Sequence, residues 1–539
     1  MVKTKLPTEV WLALGGVLMM VAVFLLNPVV VYRTPHSFLH ASISYQILNG
    51  EVPPGDPLVA GYPVRYPWGV HLLAACLSRI LKVTPFVSFA ILNVAAMAAV
   101  ILLIFRISRL MIRDRLANSL SVFIAVIAIS PPYVWILNRL ALDVAVETQG
   151  VPALKKFLNV NPMPVGLVFL LLFVYCLIVF LERKPRLMPV AGMTVGALGC
   201  GFFYAPFLPG ILAGAGGVCL AAFIRRGPVF PEVRPARAAA ALGVAVLCAV
   251  ALFPYLRLIG GGVAETAEIL NSRYIVINII KYLIIVLPIL VVVAVGGGVS
   301  GLGKAGPAGI VLWTFVAANA FCYFAFHLPL DNEHKFMLVS TLILGIIGGI
   351  SFAGALRKYN RLAVLAVIIV FAVPGISLVY SKMSEREQFP YVPAPGGINL
   401  DPIEPKQQDL YAWIRENTAT GGVFIDTEID LPVCGRRKLF VPARRPRGER
   451  ANLYGRLEFI LGLQSGYGLS FLNQRRRILE DIYAGKASGI ARMSADLGGS
   501  VLDFYMVARS TRDVRTFGEM GLEQIFCAPD GVPALYRLP

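Results

Sequence analysis

The chain has 539 residues, 57% of them hydrophobic and only 15% charged, with a formal net charge of +18. A soluble globular protein carries about 25% charged residues, so the composition excludes a water-soluble enzyme and indicates an integral membrane protein. The positive balance does not call for nucleic acid, because Lys and Arg of a multi-pass protein collect in cytoplasmic loops beside anionic lipid.

The first apolar run, 9–32, follows Lys3 and Lys5 and ends in "NPVVVYRTP". That is no small-residue cleavage site, so the run reads as a retained span. Ten more candidates follow at 85–105, 116–137, 164–181, 187–204, 207–224, 238–256, 276–297, 308–328, 336–356 and 362–381, making eleven in all. With the N-terminus inside, four basic clusters fall on the cytoplasmic side: Arg106 to Arg115, Arg183 to Arg186, Arg225 to Arg237 and Arg357 to Arg361. This requires that 66–81, which starts with Tyr66-Pro67 and contains His71, be an interfacial or re-entrant helix. The expected location is the plasma (inner) membrane, with everything after about residue 382 extracytoplasmic.

Residues 383–405 read as a Pro/Gly-rich linker between a transmembrane region, 1–382, and a soluble α/β domain, 406–539. In that domain "QQDLYAWIREN" has helical spacing, "GGVFIDT", "KLFVPA" and "VLDFYMVAR" read as strands, and helices are expected near 469–484 and 488–497. Six of the eight cysteines lie in apolar segments without metal spacing; Cys434 and Cys527, in the tail, could pair.

Polar chemistry gathers in three outward loops. The first holds His36, His40, Glu51, Asp56, Arg65, Tyr66 and His71. Thr34-Pro35 starts a helix that runs to about Leu48, with Leu39, Ile43 and Ile47 on a lipid-facing stripe and His36, His40 and Ser44 on another. His36 and His40, one turn apart, could share a metal or a phosphate, or simply face water. Asp56 in "PPGDP" suits either a general base or a turn. His71 reads as a buried, hydrogen-bonded histidine or as a site residue, and "YPVRYPW" supplies interfacial aromatics. The second loop offers Lys155, Lys156, Asn159 and Asn161, a combination suited to a phosphate. The third, 329–336, packs Asp331, Glu333, His334 and Lys335 between two spans, where ionisable groups need a cavity or a partner. The three loops are expected to build one pocket.

A first span, an outer loop with a short helix and a following histidine, "PP.DP…G…Y", a re-entrant helix and a "WIREN"-like helix before a soluble tail together resemble the GT-C fold glycosyltransferases, most nearly uncharacterised bacterial members. The resemblance implies hexosyl or pentosyl transfer from a polyprenyl-phosphate-sugar donor to a glycan, lipid or protein acceptor of the cell envelope. A divalent metal is compatible with it. Lys155, Lys156 and Lys335 would hold the carrier phosphate, with His36, His40, Arg65, Tyr66, His71 and Asn161 around the substrate. Many such enzymes carry an Asp where this chain has His36, so the base would be Asp56, Asp331 or Glu333. Two alternatives remain: a lipid or solute transporter or flippase, and a non-catalytic scaffold of the same fold. The spans are nearly free of charge and show no half-to-half symmetry, which ranks a transporter second.

The topology makes a direct prediction. A reporter active only in the cytoplasm, fused after Pro539, should be silent; strong activity there would invert every loop assignment.

Overall fold

The computed structural model describes residues 7–538 apart from 28, 33–34, 128–152, 183–186, 225–232, 261–267, 271, 297–305, 328–332, 385–404, 427–430, 442–468 and 498–502. The chain forms two compact units. One comprises Met1–Pro28, Ile91–Arg257 and Thr266–Arg386; the other comprises Val29–Ala90, Leu258–Glu265 and Glu387–Pro539. The first outer loop therefore groups with the tail, a division that a linear reading of domains does not contain.

The first unit is a helical bundle centred on His334–Lys358, whose residues from Phe336 to Gly349 are all buried. Ser272–Val295, Gly306–Ala325 and Arg115–Val126 pack around it. Close approach depends on small residues, as is usual between membrane helices. A Cβ on Gly349 would run into the backbone of Ser121, and Ser121 Oγ donates to Ile346 O at 2.8 Å. Thr8–Leu26 and Arg361–Ser384 lie at the periphery and expose Leu18, Leu25, Leu362 and Ile376.

Among the described residues nine helical segments are long and apolar enough to cross a membrane, against the eleven expected. The difference has two sources. The expected spans 187–204 and 207–224 are Leu187–Tyr204 and Leu208–Ile224, joined by the 3-10 turn Ala205–Phe207 into one apolar segment. The expected span 116–137 is described only as Arg115–Val126, which is 12 residues long. The 66–81 segment is a 13-residue helix, Gly69–Leu81, shorter than a span.

In the second unit a five-stranded sheet has the order β4-β3-β5-β7-β6. Here β3 is Val423–Ile425, β4 Lys438–Leu439, β5 Phe504–Ala508, β6 Glu523–Cys527 and β7 Ala534–Arg537, while β1 and β2 are the two-residue strands Glu268–Ile269 and Phe326–His327 of the first unit. Strands β3, β4 and β5 run parallel, and β7 pairs antiparallel with both β5 and β6. Buried Arg509 ties the sheet to Pro405–Asn417 through Asp426 and the Tyr411 hydroxyl. Arg437 donates to the last carbonyls of that helix, among them Thr418 O at 2.7 Å, and so caps its negative end. Cys434 is buried and Cys527 exposed, and both are free thiols, which corrects their possible pairing.

The first loop adds itself to this sheet. Leu439 N donates to Pro57 O and Ala60 N to Leu439 O, so the loop backbone pairs with β4. Lys438 bridges Glu51 at 2.6 Å, and Asn49 donates to Arg436 O at 2.8 Å. Arg475 closes the joint. Fully buried, it donates to Ala60 O and Phe440 O at 2.8 and 2.9 Å, pairs with Asp496 at 2.6 Å and lies against Tyr62, Phe440 and Phe471.

The helix expected from Thr34-Pro35 is Pro35–Leu48, and it ends in a Schellman motif. Gly50, at φ +97°, donates to Ile47 O, and Glu51 N reaches Gln46 O. The lipid-facing stripe is corrected: Leu39, Ile43 and Ile47 are at most 8% exposed, and His40 and Ser44 are fully buried. Gly69–Leu81 and Leu431–Cys434 cover the helix, so neither stripe is left for lipid or water.

Replacing Arg475 by Leu should strand Asp496 and two carbonyls without their donor, at a cost of about 3–5 kcal/mol. Limited proteolysis of the reconstituted protein should then cut both the first loop and the tail. Wild-type resistance in the variant would show that the joint does not depend on this residue.

Candidate functional site

The first unit brings two of the expected loops together. Leu154–Leu158 carries Lys155 and Lys156, and Asn93 holds its end in place, donating to Phe157 O at 3.2 Å and Asn159 O at 2.7 Å. Lys335 opens the long central helix, and its Nζ lies 5.3 Å from the centre of the Tyr204 ring. It interacts electrostatically with Lys156, which repels it, and with Glu333, which attracts it. Lys335 thus lies in electrostatic range of a cation far away in sequence and of one carboxylate. Burial, and secondarily the charge of Lys155, lower the Lys156 pKa to about 8.

Glu333 is 2% exposed, and its Oε1 lies 3.2 Å from Nδ1 of His327, which is 20% exposed. The His327 ring stacks flat on Tyr274, with centroids 3.6 Å apart and planes 9° from parallel. His327, Tyr274, Tyr204 and Asn93 escaped the sequence reading. His327 was absorbed into an apolar span; its signal was an imidazole at a span's outer end, six residues before a carboxylate.

Other expected residues have different positions. Asn161 Oδ1 accepts from Met163 N at 2.8 Å, so it caps Met163–Glu182. Asp331 lies outside the described residues.

The first loop belongs to the other unit. There Nδ1 of His40 lies 2.9 Å from Nε2 of His71, both rings buried, with Tyr66 and Phe89 packed around them. Burial lowers the His71 pKa to about 3, so His71 is neutral at physiological pH. One ring of the pair donates and the other accepts. Asp56 Oδ1 accepts from Leu58 N and Val59 N at 2.8 and 3.1 Å, which makes it a turn residue. Arg65 is half-exposed, and the His36 side chain is outside the described set.

For the metal expected at His36 and His40, the His36 side chain lies outside the described residues. His40 Nδ1 is committed to His71, and no group of three or more His, Cys, Asp or Glu residues among the described residues could hold an ion.

The family described as "Uncharacterized membrane protein (DUF2298)" matches residues 5–145. No curated protein is significantly similar in sequence. In fold the chain is similar to the Archaeoglobus fulgidus oligosaccharyltransferase in the apo form, with 11% identity and a TM-score of 0.50, over 93% of this chain and 69% of that one. The oligosaccharyltransferase AglB of the same organism, in complex with an inhibitory peptide and a dolichol-phosphate, gives 10% identity and a TM-score of 0.47 over 92% and 69%. At such identity the likeness is one of fold: a GT-C architecture of membrane helices with a C-terminal α/β region.

Lys156 should lose its proton near pH 8, well below the ordinary 10.5 of lysine. Pulse acylation of amines read by mass spectrometry should show Lys156 already half-reactive there; a midpoint above 10 would contradict its burial.

Proposed function

We propose that the protein is a membrane glycosyltransferase that moves a sugar from a polyprenyl-phosphate carrier to an extracytoplasmic acceptor. The observation that carries this reading is the position of Lys335 in the first turn of the central apolar helix, beside buried Glu333 and in electrostatic range of Lys156. A phosphate ester needs cations, and a chain buried in lipid needs them at the membrane boundary. The fold shared with an oligosaccharyltransferase supports the same class.

The chemistry is a displacement at the anomeric carbon. The acceptor oxygen forms its bond to that carbon as the bond to the phosphate oxygen breaks, and the electron pair leaves with the phosphate. Lys155, Lys156 and Lys335 stabilise the growing negative charge there. The acceptor's proton passes to the side of the cluster that holds Glu333. Partial burial sharpens this arrangement, because ammonium groups with less water around them pull harder on a phosphate than fully solvated ones. The His40–His71 pair contributes rigidity to the first loop, and Arg65 is its half-exposed cation for substrate.

Reconstituted wild-type protein should transfer labelled sugar from a polyprenyl-phosphate hexose or pentose into an envelope acceptor fraction. Lys156→Met and Lys335→Met should each raise the KM for carrier by about 10- to 100-fold, the worth of a charged hydrogen bond. Absence of transfer by the wild type, or an unchanged KM in both variants, would contradict the assignment.

A further inference from the structure

Glu333 is almost fully buried, whereas its partner His327 keeps a fifth of its surface exposed. A buried carboxylate cannot easily reach an acceptor hydroxyl, but it can orient an imidazole that does. We infer that His327 is the group that accepts the acceptor's proton and that Glu333 is its positioning residue; this rests on the glycosyltransferase reading above.

The geometry has three parts. Glu333 Oε1 faces Nδ1 at 3.2 Å, and a carboxylate only accepts, so Nδ1 carries the proton and Nε2 keeps its lone pair. Tyr274 stacks on the ring at 3.6 Å and stops it from turning about its own axis. The pairing of β1 with β2, Glu268 opposite His327 and Ile269 opposite Phe326, fixes the backbone from which the ring projects. Orientation is thus set by a hydrogen bond, a ring face and a strand register. Lys335, two residues beyond Glu333, places the phosphate-binding side next to the base.

In the step itself, His327 Nε2 takes the proton of the acceptor hydroxyl as its oxygen bonds to the anomeric carbon. The imidazolium that forms is balanced by the Glu333 carboxylate, and the phosphate departs with the electron pair of the broken bond. When the product leaves, the proton returns to water.

The test combines kinetics with a spectroscopic readout on the full-length protein in bilayers. Solid-state nitrogen NMR of [15N]histidine-labelled protein, with His327→Gln to identify the signal among five histidines, reports which ring nitrogen is protonated. We expect the Nδ1–H tautomer in the wild type and its loss in Glu333→Gln. His327→Gln and Glu333→Gln should each lower kcat by about 10²- to 10⁴-fold, the usual contribution of a general base, with KM for carrier unchanged. An Nε2–H tautomer in the wild type, or an active enzyme whose kcat survives His327→Gln, would overturn the inference while leaving the transferase reading intact. A wild type that transfers nothing would overturn that reading, and the base role with it.

Discussion

The cost of holding a charge away from water organises this protein. Its membrane helices carry few ionisable groups, and several of these stand near helix ends. Lys335 opens the central helix rather than interrupting it. Glu333 is buried but faces His327. Lys156 keeps its charge only weakly, with a pKa near 8. His71 avoids the cost by staying neutral and sharing a hydrogen bond with His40. In the tail, Arg475 and Arg509 are buried only because Asp496 and Asp426 meet them. In the ion pairs desolvation is offset by a specific neighbour, and removing that neighbour would cost more than the pair contributes.

That constraint also explains what could be read in the sequence. Apolar length marks a span independently of any partner, so most spans, and the shortness of Gly69–Leu81, were legible. Pro35 and Gly50 mark the ends of a helix by local backbone chemistry, and the structure has that helix. Strands β3, β4 and β5 stood out as apolar runs, whereas β6, with Glu523, Gln524 and an irregular register, has no clean alternation to find. The burial of the first-loop helix was not legible. Its apolar and polar stripes suit an interfacial helix equally well, and the segments that cover it include one from the tail. The residue that secures that loop, Arg475, is 415 positions from the carbonyl it binds.

The site was legible in part for the same reason. Lys155, Lys156, Glu333 and Lys335 declared themselves as charges in an apolar context, and Lys335 lies in electrostatic range of both Lys156 and Glu333. Asp56 and Asn161 are equally polar, and Oδ1 of each accepts from backbone amides, of a turn and of a helix start. Residue type and spacing do not separate a carboxylate that shapes a loop from one that serves chemistry; hydrogen-bond partners do. His327 shows the converse, since an imidazole inside an apolar run acquires meaning only when the strand pairing sets it against Glu333.

The central claim is that the lysines of the helical unit receive a lipid-linked phosphate. Its most direct measurement is a structure of the protein in lipid nanodiscs with a polyprenyl-phosphate sugar bound. The account predicts the phosphate within hydrogen-bond distance of Lys156 and Lys335 Nζ, with the isoprenoid chain running along apolar helices. A carrier phosphate seated elsewhere, with both lysines contacting only protein, would contradict it.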